Sequence, residues 1–278
     1  MVRGQGLAAN ENESVRTSIV VGSLNECGNI DRFINQILTT LGTTCSFEII
    51  VVDDGSIDGT REKLTQIAGS DKRIIAIFNE QRNGLLASNL QGIAIARGDY
   101  KIVMDCDMQH PPDMIPEVIK ALDKGYEIAI CSRYVKGGTV GRRNGLRGVI
   151  SRVAILLGRI ALWKRKSVLD NVSGFFGFDK RMKIPKIDAT RGFKTLLYIL
   201  AENPYAKVVE IPYSFQKRGS GDSKIVNNWR FVPRFLFEVM SIAKIAARAK
   251  KSPVESYTGK GVEYADRTVP QIDGDASD

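Results

Sequence analysis

Short apolar runs rich in β-branched residues alternate with amphipathic segments through the first half of the chain. The apolar runs predict five strands, at residues 17–21, 47–52, 73–78, 100–104 and 127–131. Between them, apolar residues at helical spacing predict four helices, at residues 29–41, 57–67, 86–96 and 114–124. Nearly continuous apolar strands separated by helices are typical of a parallel sheet covered on both faces. The pattern therefore predicts a doubly wound, mostly parallel α/β domain.

The alternating pattern stops near Gly137, and two longer apolar segments follow at residues 149–163 and 229–248. Each has charged residues along one side, and neither contains the roughly 20 uninterrupted apolar residues that cross a bilayer. We expect two amphipathic helices that lie in a membrane interface, and no helix that spans the membrane. Packing against the protein's own core would produce the same pattern, so the pattern alone leaves this choice open.

Polar and acidic residues follow three of the predicted strands. In open α/β sheets, ligands bind outside the carboxyl ends of the strands, where such residues converge. No G-x-G-x-x-G follows the first strand and no G-x-x-x-x-G-K-[ST] is present, so dinucleotide-binding and P-loop proteins are disfavoured. The residues that follow the strands are Ser23, Asn25, Glu26, Asp53, Asp54, Asp105 and Asp107.

Asp105 and Asp107 come directly after the fourth strand and would point the same way if the chain stayed extended. Two neighbouring carboxylates repel each other unless a cation lies between them. With Gln109 they form a hard oxygen set that suits Mg²⁺ or Mn²⁺, with water and diphosphate oxygens as the remaining ligands. An acidic turn before Pro111 would have the same sequence, so this motif is not decisive by itself.

The formal net charge of +9 favours a polyanionic partner, such as nucleic acid, anionic lipid or a phosphorylated small molecule. The four cysteines are widely spaced and the sequence has one histidine, which indicates reduced thiols and no zinc site. Residues 1–16 are polar and lack the apolar region of a signal peptide, so we expect a flexible N-terminus. Residues 251–278 are polar and acidic, and we expect a disordered tail there.

A series of motifs decides between these possibilities. They are Val51-Val52-Asp53-Asp54-Gly55-Ser56-Ile57-Asp58-Gly59-Thr60, Gly98-Asp99-Tyr100, Met104-Asp105-Cys106-Asp107-Met108-Gln109-His110-Pro111-Pro112, Ser132-Arg133-Tyr134, Ser173-Gly174-Phe175-Phe176, Gly192-Phe193-Lys194 and Arg218-Gly219-Ser220-Gly221-Asp222-Ser223-Lys224. In this order they resemble family 2 glycosyltransferases of the GT-A fold, and in particular the dolichyl-phosphate (polyprenyl-phosphate) mannose synthase group. The resemblance covers residues 17–224 and implies that they form the catalytic domain. The amphipathic pattern described above predicts that residues 225–250 form the membrane-interface helix.

The resemblance also implies roles for individual residues. The nucleotide of the donor sugar would be bound by Ser23, Asn25, Glu26, Asp53, Asp54 and Asp105. The metal on the donor diphosphate would be held by Asp105, Asp107 and Gln109, while His110 would be structural. The acceptor phosphate would be bound by Arg133, Arg147, Arg218, Ser223 and Lys224. Asp170 would orient the sugar or nearby cationic side chains, so the implied catalytic residues are Asp107, Arg133, Arg147 and Asp170.

The implied reaction is an inverting transfer of a sugar to a lipid monophosphate at the cytoplasmic face of a membrane, by a peripheral protein. Gly22-Ser23-Leu24 stands where the group usually has a proline and an aromatic residue near the base pocket, which puts the base preference in question. GDP-mannose is the first expectation for the donor and UDP-glucose the second. The resemblance leaves open whether the protein has a membrane-anchoring partner.

Two alternatives remain at this point. The first is a family 2 enzyme that acts on a polysaccharide acceptor, although the acceptor-side residues here are arginines rather than a carboxylate base. The second is a basic adaptor or nucleic-acid-binding protein with a degenerate core, which would have lost the acidic cluster. The intact cluster favours an enzyme, and we expect no nucleic-acid partner.

Overall fold

A computed structural model describes residues 14–42, 45–140, 145–165, 167–186, 194–216, 231–249 and 263–264. The described strands are β1 (Thr17–Ser23), β2 (Phe47–Asp53), β3 (Ile74–Phe78), β4 (Tyr100–Val103), β5 (Ile128–Ser132), β6 (Phe176–Asp179), β7 (Val208–Pro212) and β8 (Glu263–Tyr264). The described α-helices are α1 (Ile30–Leu41), α2 (Thr60–Ser70), α3 (Leu85–Ile95), α4 (Ile115–Asp123), α5 (Gly145–Ala161), α6 (Thr195–Glu202) and α7 (Phe231–Arg248).

The strands form one sheet in the order β3-β2-β1-β4-β6-β5-β7-β8. Neighbouring strands are parallel except at β6, which runs antiparallel to both β4 and β5. All seven residues of β2 are buried, because helices cover both faces of the sheet. The described fold is thus the doubly wound, mostly parallel α/β sheet that the sequence predicts.

Two apolar layers hold the helices on the sheet. The first packs α1, α2 and α4 on one face, and α1 contributes a buried stripe at helical spacing that includes Phe33, Ile34 and Ile37. The second packs α3, α5, α6 and α7 on the other face. A Cβ at Gly92 of α3 would lie 2.5 Å from Val20 Cγ1, so glycine permits the close approach of α3 to β1.

The predicted strands and helices of the first half are confirmed, with shifts of a few residues at their ends. The helix predicted from residue 57 begins at Thr60, because residues 57–59 form a turn in which Asp58 Oδ1 accepts a hydrogen bond from Thr60 N. The prediction that the alternation of strands and helices stops near Gly137 is wrong. Strands β6 and β7, with α6 between them, follow that point, and both strands belong to the same sheet. Residues 195–201 of α6 are all buried, so this helix has no polar face that sequence periodicity could detect.

The two predicted amphipathic helices correspond to α5 and α7. Their inner faces reach the second apolar layer through residues such as Ile155 and Ile242, so core packing accounts for part of their apolar pattern. No described helix combines the length and the apolar character that crossing a membrane requires. Most of the predicted flexible N-terminus and of the predicted acidic tail lies outside the described residues, although residues 263–264 form β8 beside β7.

Candidate active site

The carboxyl ends of β2, β1 and β4 lie side by side in the sheet. This arrangement brings together the residues that are predicted to bind the nucleotide sugar. Ser23, the last residue of β1, pairs in register with Asp53, the last residue of β2. Met104, just after β4, donates its N–H to Val20 O at 3.2 Å. The segment that carries Asp105 therefore leaves the sheet next to the end of β1.

Asp53 and Asp54 have different surroundings, although they are adjacent in the sequence. Asp54 Oδ1 and Oδ2 accept hydrogen bonds from Asn83 N and Gly84 N at 2.8 and 2.9 Å, which fixes the loop that leads into α3. Asp53 Oδ1 accepts from Ser56 N at 3.0 Å, whereas Oδ2 is buried and has no hydrogen-bond partner among the described residues. Asp54 thus has a clear structural role, and Asp53 keeps one unused acceptor.

Asn25 and Glu26 tie the loop after β1 to the loop after β2. Asn25 has a φ of 50°, and its Oδ1 accepts from Ile57 N at 3.0 Å. The backbone N–H of Glu26 donates to Thr60 Oγ1 at 2.9 Å, and its Oε2 accepts from Asn29 Nδ2 at 2.7 Å. Both residues lie at the predicted nucleotide site, and both also hold its loops in place.

The acidic segment bends sharply instead of continuing the strand. Met108 has a φ of 64°, in the left-handed region that non-glycine residues rarely adopt. Asp107 is 7% exposed, and its Oδ1 accepts from Gln109 N at 3.0 Å. The extended geometry on which the sequence-based argument for Asp105 and Asp107 rested is therefore absent. The three predicted metal ligands, Asp105, Asp107 and Gln109, lie in a tight turn instead.

His110 supports this turn from behind. It is buried among the rings of Phe175, Tyr213 and Phe215, with ring centroids 5.6–6.1 Å away. Its Nδ1 accepts a hydrogen bond from Asp105 N at 3.2 Å. Burial lowers the pKa of His110, which favours the neutral ring that this acceptor role requires. The surroundings of His110 are those of a structural residue.

The metal-binding atoms that the turn offers are oxygens, which suit a hard divalent cation. Within the described part of the chain, no group of three or more His, Cys, Asp and Glu side chains is placed to hold a metal, so the described side chains alone do not complete such a site. Asp105 and Asp107 supply two carboxylates and Gln109 supplies an amide. Mg²⁺ is usually bound by one or two carboxylates together with water and substrate phosphates. The residues therefore fit a metal that binds together with a diphosphate.

Arg133 and Asp170 form a buried, bidentate ion pair beside the acidic turn. Arg133 donates from Nε and Nη2 to the two carboxylate oxygens of Asp170, each at 2.8 Å. Burial disfavours the charge of Arg133, but the hydrogen bonds to Asp170 outweigh this effect and raise its pKa. Two donor groups of the Arg133 guanidinium, Nε and Nη2, are thus already in use.

Glu210 of β7 holds Asp170 in position. Its two carboxylate oxygens accept from Leu169 N and Asp170 N at 2.7 and 2.9 Å. Burial raises the pKa of Glu210, although these backbone hydrogen bonds act in the opposite direction. Glu210 was not a candidate from the sequence, because nothing near it in the chain indicates that β7 lies beside the site.

Several predicted acceptor residues cannot be placed. The backbone of Arg147 lies in the first turn of α5, and its side chain is outside the described structure, as are Arg218, Ser223 and Lys224. Lys194, by contrast, lies at the start of α6 and borders the same cavity as Asp105. Its motif contributed to the resemblance, but the sequence assigned it no role.

The family model described as Glycosyl transferase family 2 matches residues 18–183, which include both aspartate pairs, Arg133 and Asp170. The chain belongs to glycosyl transferase family 2. This membership, together with the intact acidic cluster, supports a glycosyltransferase rather than an adaptor with a degenerate core. It also agrees with the position of the acidic turn at the carboxyl end of β4.

Curated relatives within the family have closely related names. A dolichol-phosphate mannosyltransferase from Pyrococcus furiosus is 40% identical over 212 residues, which are 76% of this chain and 59% of the relative. The chain thus spans less than two thirds of that relative's length. A dolichol-phosphate mannosyltransferase from Saccharomyces cerevisiae is 31% identical over 76% of this chain and 82% of the relative. A polyprenol monophosphomannose synthase from Mycolicibacterium smegmatis is 32% identical over 76% and 81%.

Solved structures confirm the GT-A type of fold. The glucosyl-3-phosphoglycerate synthase of Mycobacterium tuberculosis, solved with Mn²⁺, UDP and glucosyl-3-phosphoglycerate, has a TM-score of 0.60 at 17% identity and matches 86% of this chain and 82% of its own. The same enzyme solved with Mg²⁺ and UDP has a TM-score of 0.60 at 16% identity, over 86% and 81%. At this identity the likeness concerns the fold alone.

Proposed function

We propose that this glycosyltransferase moves a sugar, with mannose from GDP-mannose as the first candidate, onto a polyprenyl or dolichyl phosphate. The names of the three curated relatives support the reaction. The observation that carries the lipid acceptor is an apolar groove of about 290 Å³, two of whose walls are the chain neighbours of Arg133 and Asp170. Its walls are Tyr134, Arg152, Ile155, Leu156, Arg159 and Leu169.

The groove connects the predicted acceptor site with α5. Tyr134 follows Arg133 directly and Leu169 precedes Asp170, so two walls of the groove are chain neighbours of the ion pair. The other walls come from α5, where Leu156 is largely exposed. An apolar groove that is lined by the two arginines Arg152 and Arg159 and opens on an apolar surface suits a ligand with a phosphate head and a hydrocarbon chain.

The outer face of α5 supports a location at a membrane surface. Val153, Leu156, Ile160 and Trp163 are 48–60% exposed and follow one another at spacings of three or four residues, along one side of α5 and just beyond its end. Arg152, Lys244 and Arg248 are exposed cations on α5 and α7. Apolar residues bordered by cations are typical of helices that lie on anionic bilayers. We infer peripheral association with the cytoplasmic face; a membrane-anchoring partner stays a prediction.

The residues of the chain suggest how the transfer proceeds. Asn25, Glu26, Asp53 and Asp54 would bind the nucleoside, while Asp105, Asp107 and Gln109 would hold Mg²⁺ or Mn²⁺. When bound, the metal would neutralise the charge that develops on the departing nucleoside diphosphate. A phosphate acceptor is already anionic near neutral pH, because its second pKa is about 6.

A strong base is therefore unnecessary, and the chain's task is to align the acceptor for displacement at the sugar C1, with inversion. Arg133 is held rigidly by Asp170 and can offer its remaining guanidinium N–H groups to the acceptor phosphate. Arg147, Arg218, Ser223 and Lys224 complete the proposed phosphate site.

Calorimetry tests the donor half of the proposal. GDP and UDP are titrated into the protein with and without Mn²⁺, and we expect GDP to bind more tightly and only with the metal. Tighter binding of UDP would favour UDP-glucose as the donor. Lack of metal-dependent binding of either nucleotide would contradict the donor site.

Flotation with lipid vesicles tests the membrane surface. The protein is expected to float with vesicles that contain anionic phospholipid and to float less at high salt, because the cations around α5 and α7 are screened. A Leu156→Ser, Ile160→Ser double variant should float less, whereas Ile57→Ser, which changes a side chain 92% exposed outside α5 and α7, should behave like the wild type. Equal flotation of all three proteins would contradict this surface.

A further inference from the structure

A small polar cavity lies beside Asp105, on the side toward α3 and α6. Its volume is about 20 Å³, and its polar walls are Asn89, Asp105, Ser173, Lys194 and Thr195. A cavity of this size has room for about one water-sized group. The cavity is therefore too small for a nucleoside or a phosphate, but it has the right size for a single hydroxyl.

Asn89, which lines this cavity, has an unused hydrogen-bond acceptor. The residue is 3% exposed, and its Nδ2 donates to Thr195 Oγ1 at 3.0 Å. That hydrogen bond fixes the orientation of the amide, and within the described part of the chain Asn89 Oδ1 is buried with no hydrogen-bond partner. Buried polar atoms are nearly always hydrogen-bonded. An unpaired carbonyl oxygen at a cavity therefore points to a donor group that binds there.

Glycines leave room for this arrangement. A Cβ at Gly22 would lie 3.0 Å from Asn89 Oδ1, and a Cβ at Gly174 would lie 2.7 Å from Asp105 Oδ2. A larger side chain at either position would displace a polar wall of the cavity. Gly22 stands where related mannose synthases usually have a proline. In this chain, the missing side chain leaves space for Asn89 Oδ1.

Lys194 is the basic residue among the walls of the cavity, and Asp105 is the acidic one. Lys194 borders the cavity at the start of α6, where its backbone N–H donates to Glu238 Oε1 of α7 at 3.1 Å. Burial lowers the pKa of Lys194, whereas the nearby carboxylate of Asp105 acts in the opposite direction and favours the charged ammonium form. A hydroxyl can donate one hydrogen bond and accept another, so it can bind an amide oxygen and an ammonium group together.

We propose that this cavity binds one hydroxyl of the sugar that is transferred, so that Asn89 and Lys194 help to select the sugar. The inference rests on the proposed function, in which Asp105 holds the metal on the donor diphosphate. The sugar is bonded to that diphosphate, so its ring lies next to Asp105. A sugar whose hydroxyl at this point has the other configuration leaves Asn89 Oδ1 unpaired and is disfavoured.

Calorimetry with Mn²⁺ separates the sugar from the nucleotide. GDP and GDP-mannose are titrated into the wild type and into Asn89→Ala. We expect the Kd for GDP to change less than twofold and the Kd for GDP-mannose to rise about tenfold, as for one lost hydrogen bond. Asn89→Asp, which keeps an acceptor oxygen, should recover part of the loss.

Thr195→Val is the matched control. It removes the same Asn89–Thr195 hydrogen bond but keeps Asn89 Oδ1, so its effect on GDP-mannose should be smaller than that of Asn89→Ala. Lys194→Met should weaken GDP-mannose more than GDP. If Asn89→Ala weakens both ligands equally, or neither, the cavity holds only water and the inference is wrong. Failure of the wild type to bind GDP or UDP would instead overturn the proposed function.

Discussion

The guanidinium of Arg133 and the carboxylate of Asp170 form a two-point ion pair inside the protein, with both N–O distances at 2.8 Å. The Arg133 side chain is 8% exposed and that of Asp170 is 0% exposed. A pair of this kind directs the guanidinium rigidly but costs much when one partner is lost, because the other charge stays buried. Arg133 thus depends on Asp170 for its position.

Asp170→Ala should lower the free energy of unfolding by about 3–5 kcal/mol, because it leaves the charge of Arg133 buried and unpaired. Urea denaturation measures the change. Asp99→Ala is the matched control, since the Asp99–Lys180 pair is more than half exposed on both sides and exposed pairs contribute at most about 1 kcal/mol. An equal decrease in the free energy of unfolding for the two variants would show that the Arg133–Asp170 pair stabilises the protein no more than an exposed ion pair does.

Gly174→Ala should damage catalysis, because the added Cβ would displace a predicted metal ligand. This Cβ would lie 2.7 Å from Asp105 Oδ2, so the carboxylate has to move, and a displacement of about 1 Å in a reacting arrangement can cost 100-fold in rate. The measurement is kcat/KM as a function of Mn²⁺ concentration. Gly69→Ala, which meets no atom within 4 Å, should leave kcat/KM unchanged; a similar fall in both variants would contradict this account.

Asp107→Ala should reduce metal-dependent turnover by more than about 100-fold, because the charge on the departing diphosphate is no longer neutralised. Arg133→Ala should instead act mainly on the KM for the lipid phosphate, together with a loss of stability from the unpaired Asp170. Steady-state kinetics with varied acceptor separate the two variants. Wild-type rates in both would show that these sites are assigned wrongly.

The thiols should react in an order set by burial. Cys106 and Cys131 are buried, and burial raises the pKa of both thiols, so little thiolate is present at pH 8. Cys27 and Cys45 are only partly buried, but burial raises the pKa of Cys45, so Cys27 should be the first to react with iodoacetamide in the native protein. Mass spectrometry identifies the labelled residue, and all four cysteines should react in urea. Early labelling of Cys106 would contradict the packing beneath the acidic turn.

The first half of the fold could be predicted because its periodic patterns are strong. Each strand from β1 to β5 is a compact apolar run, and α1 has a single apolar face. β6 and α6 were not predicted for a physical reason: β6 has only four residues, and residues 195–201 of α6 are all buried. Neither element has a polar face that would reveal its period.

The candidate site was only partly predictable. The sequence places Asp53, Asp54 and Asp105 at strand ends, and parallel topology brings those ends together. Asn89 and Glu210 could not be found this way, because their roles depend on contacts with residues 106 and 40 positions away. Such contacts become visible only once α3, α6 and β7 are placed around the acidic turn.

Transfer of the sugar itself tests the central claim most directly. The protein is incubated with radiolabelled GDP-mannose, Mg²⁺ and dolichyl phosphate in detergent, and the mixture is then extracted with organic solvent. The account predicts label in the organic phase that depends on dolichyl phosphate and on Asp107. Label found only in water-soluble product, with dolichyl phosphate present and the donor consumed, would contradict the account.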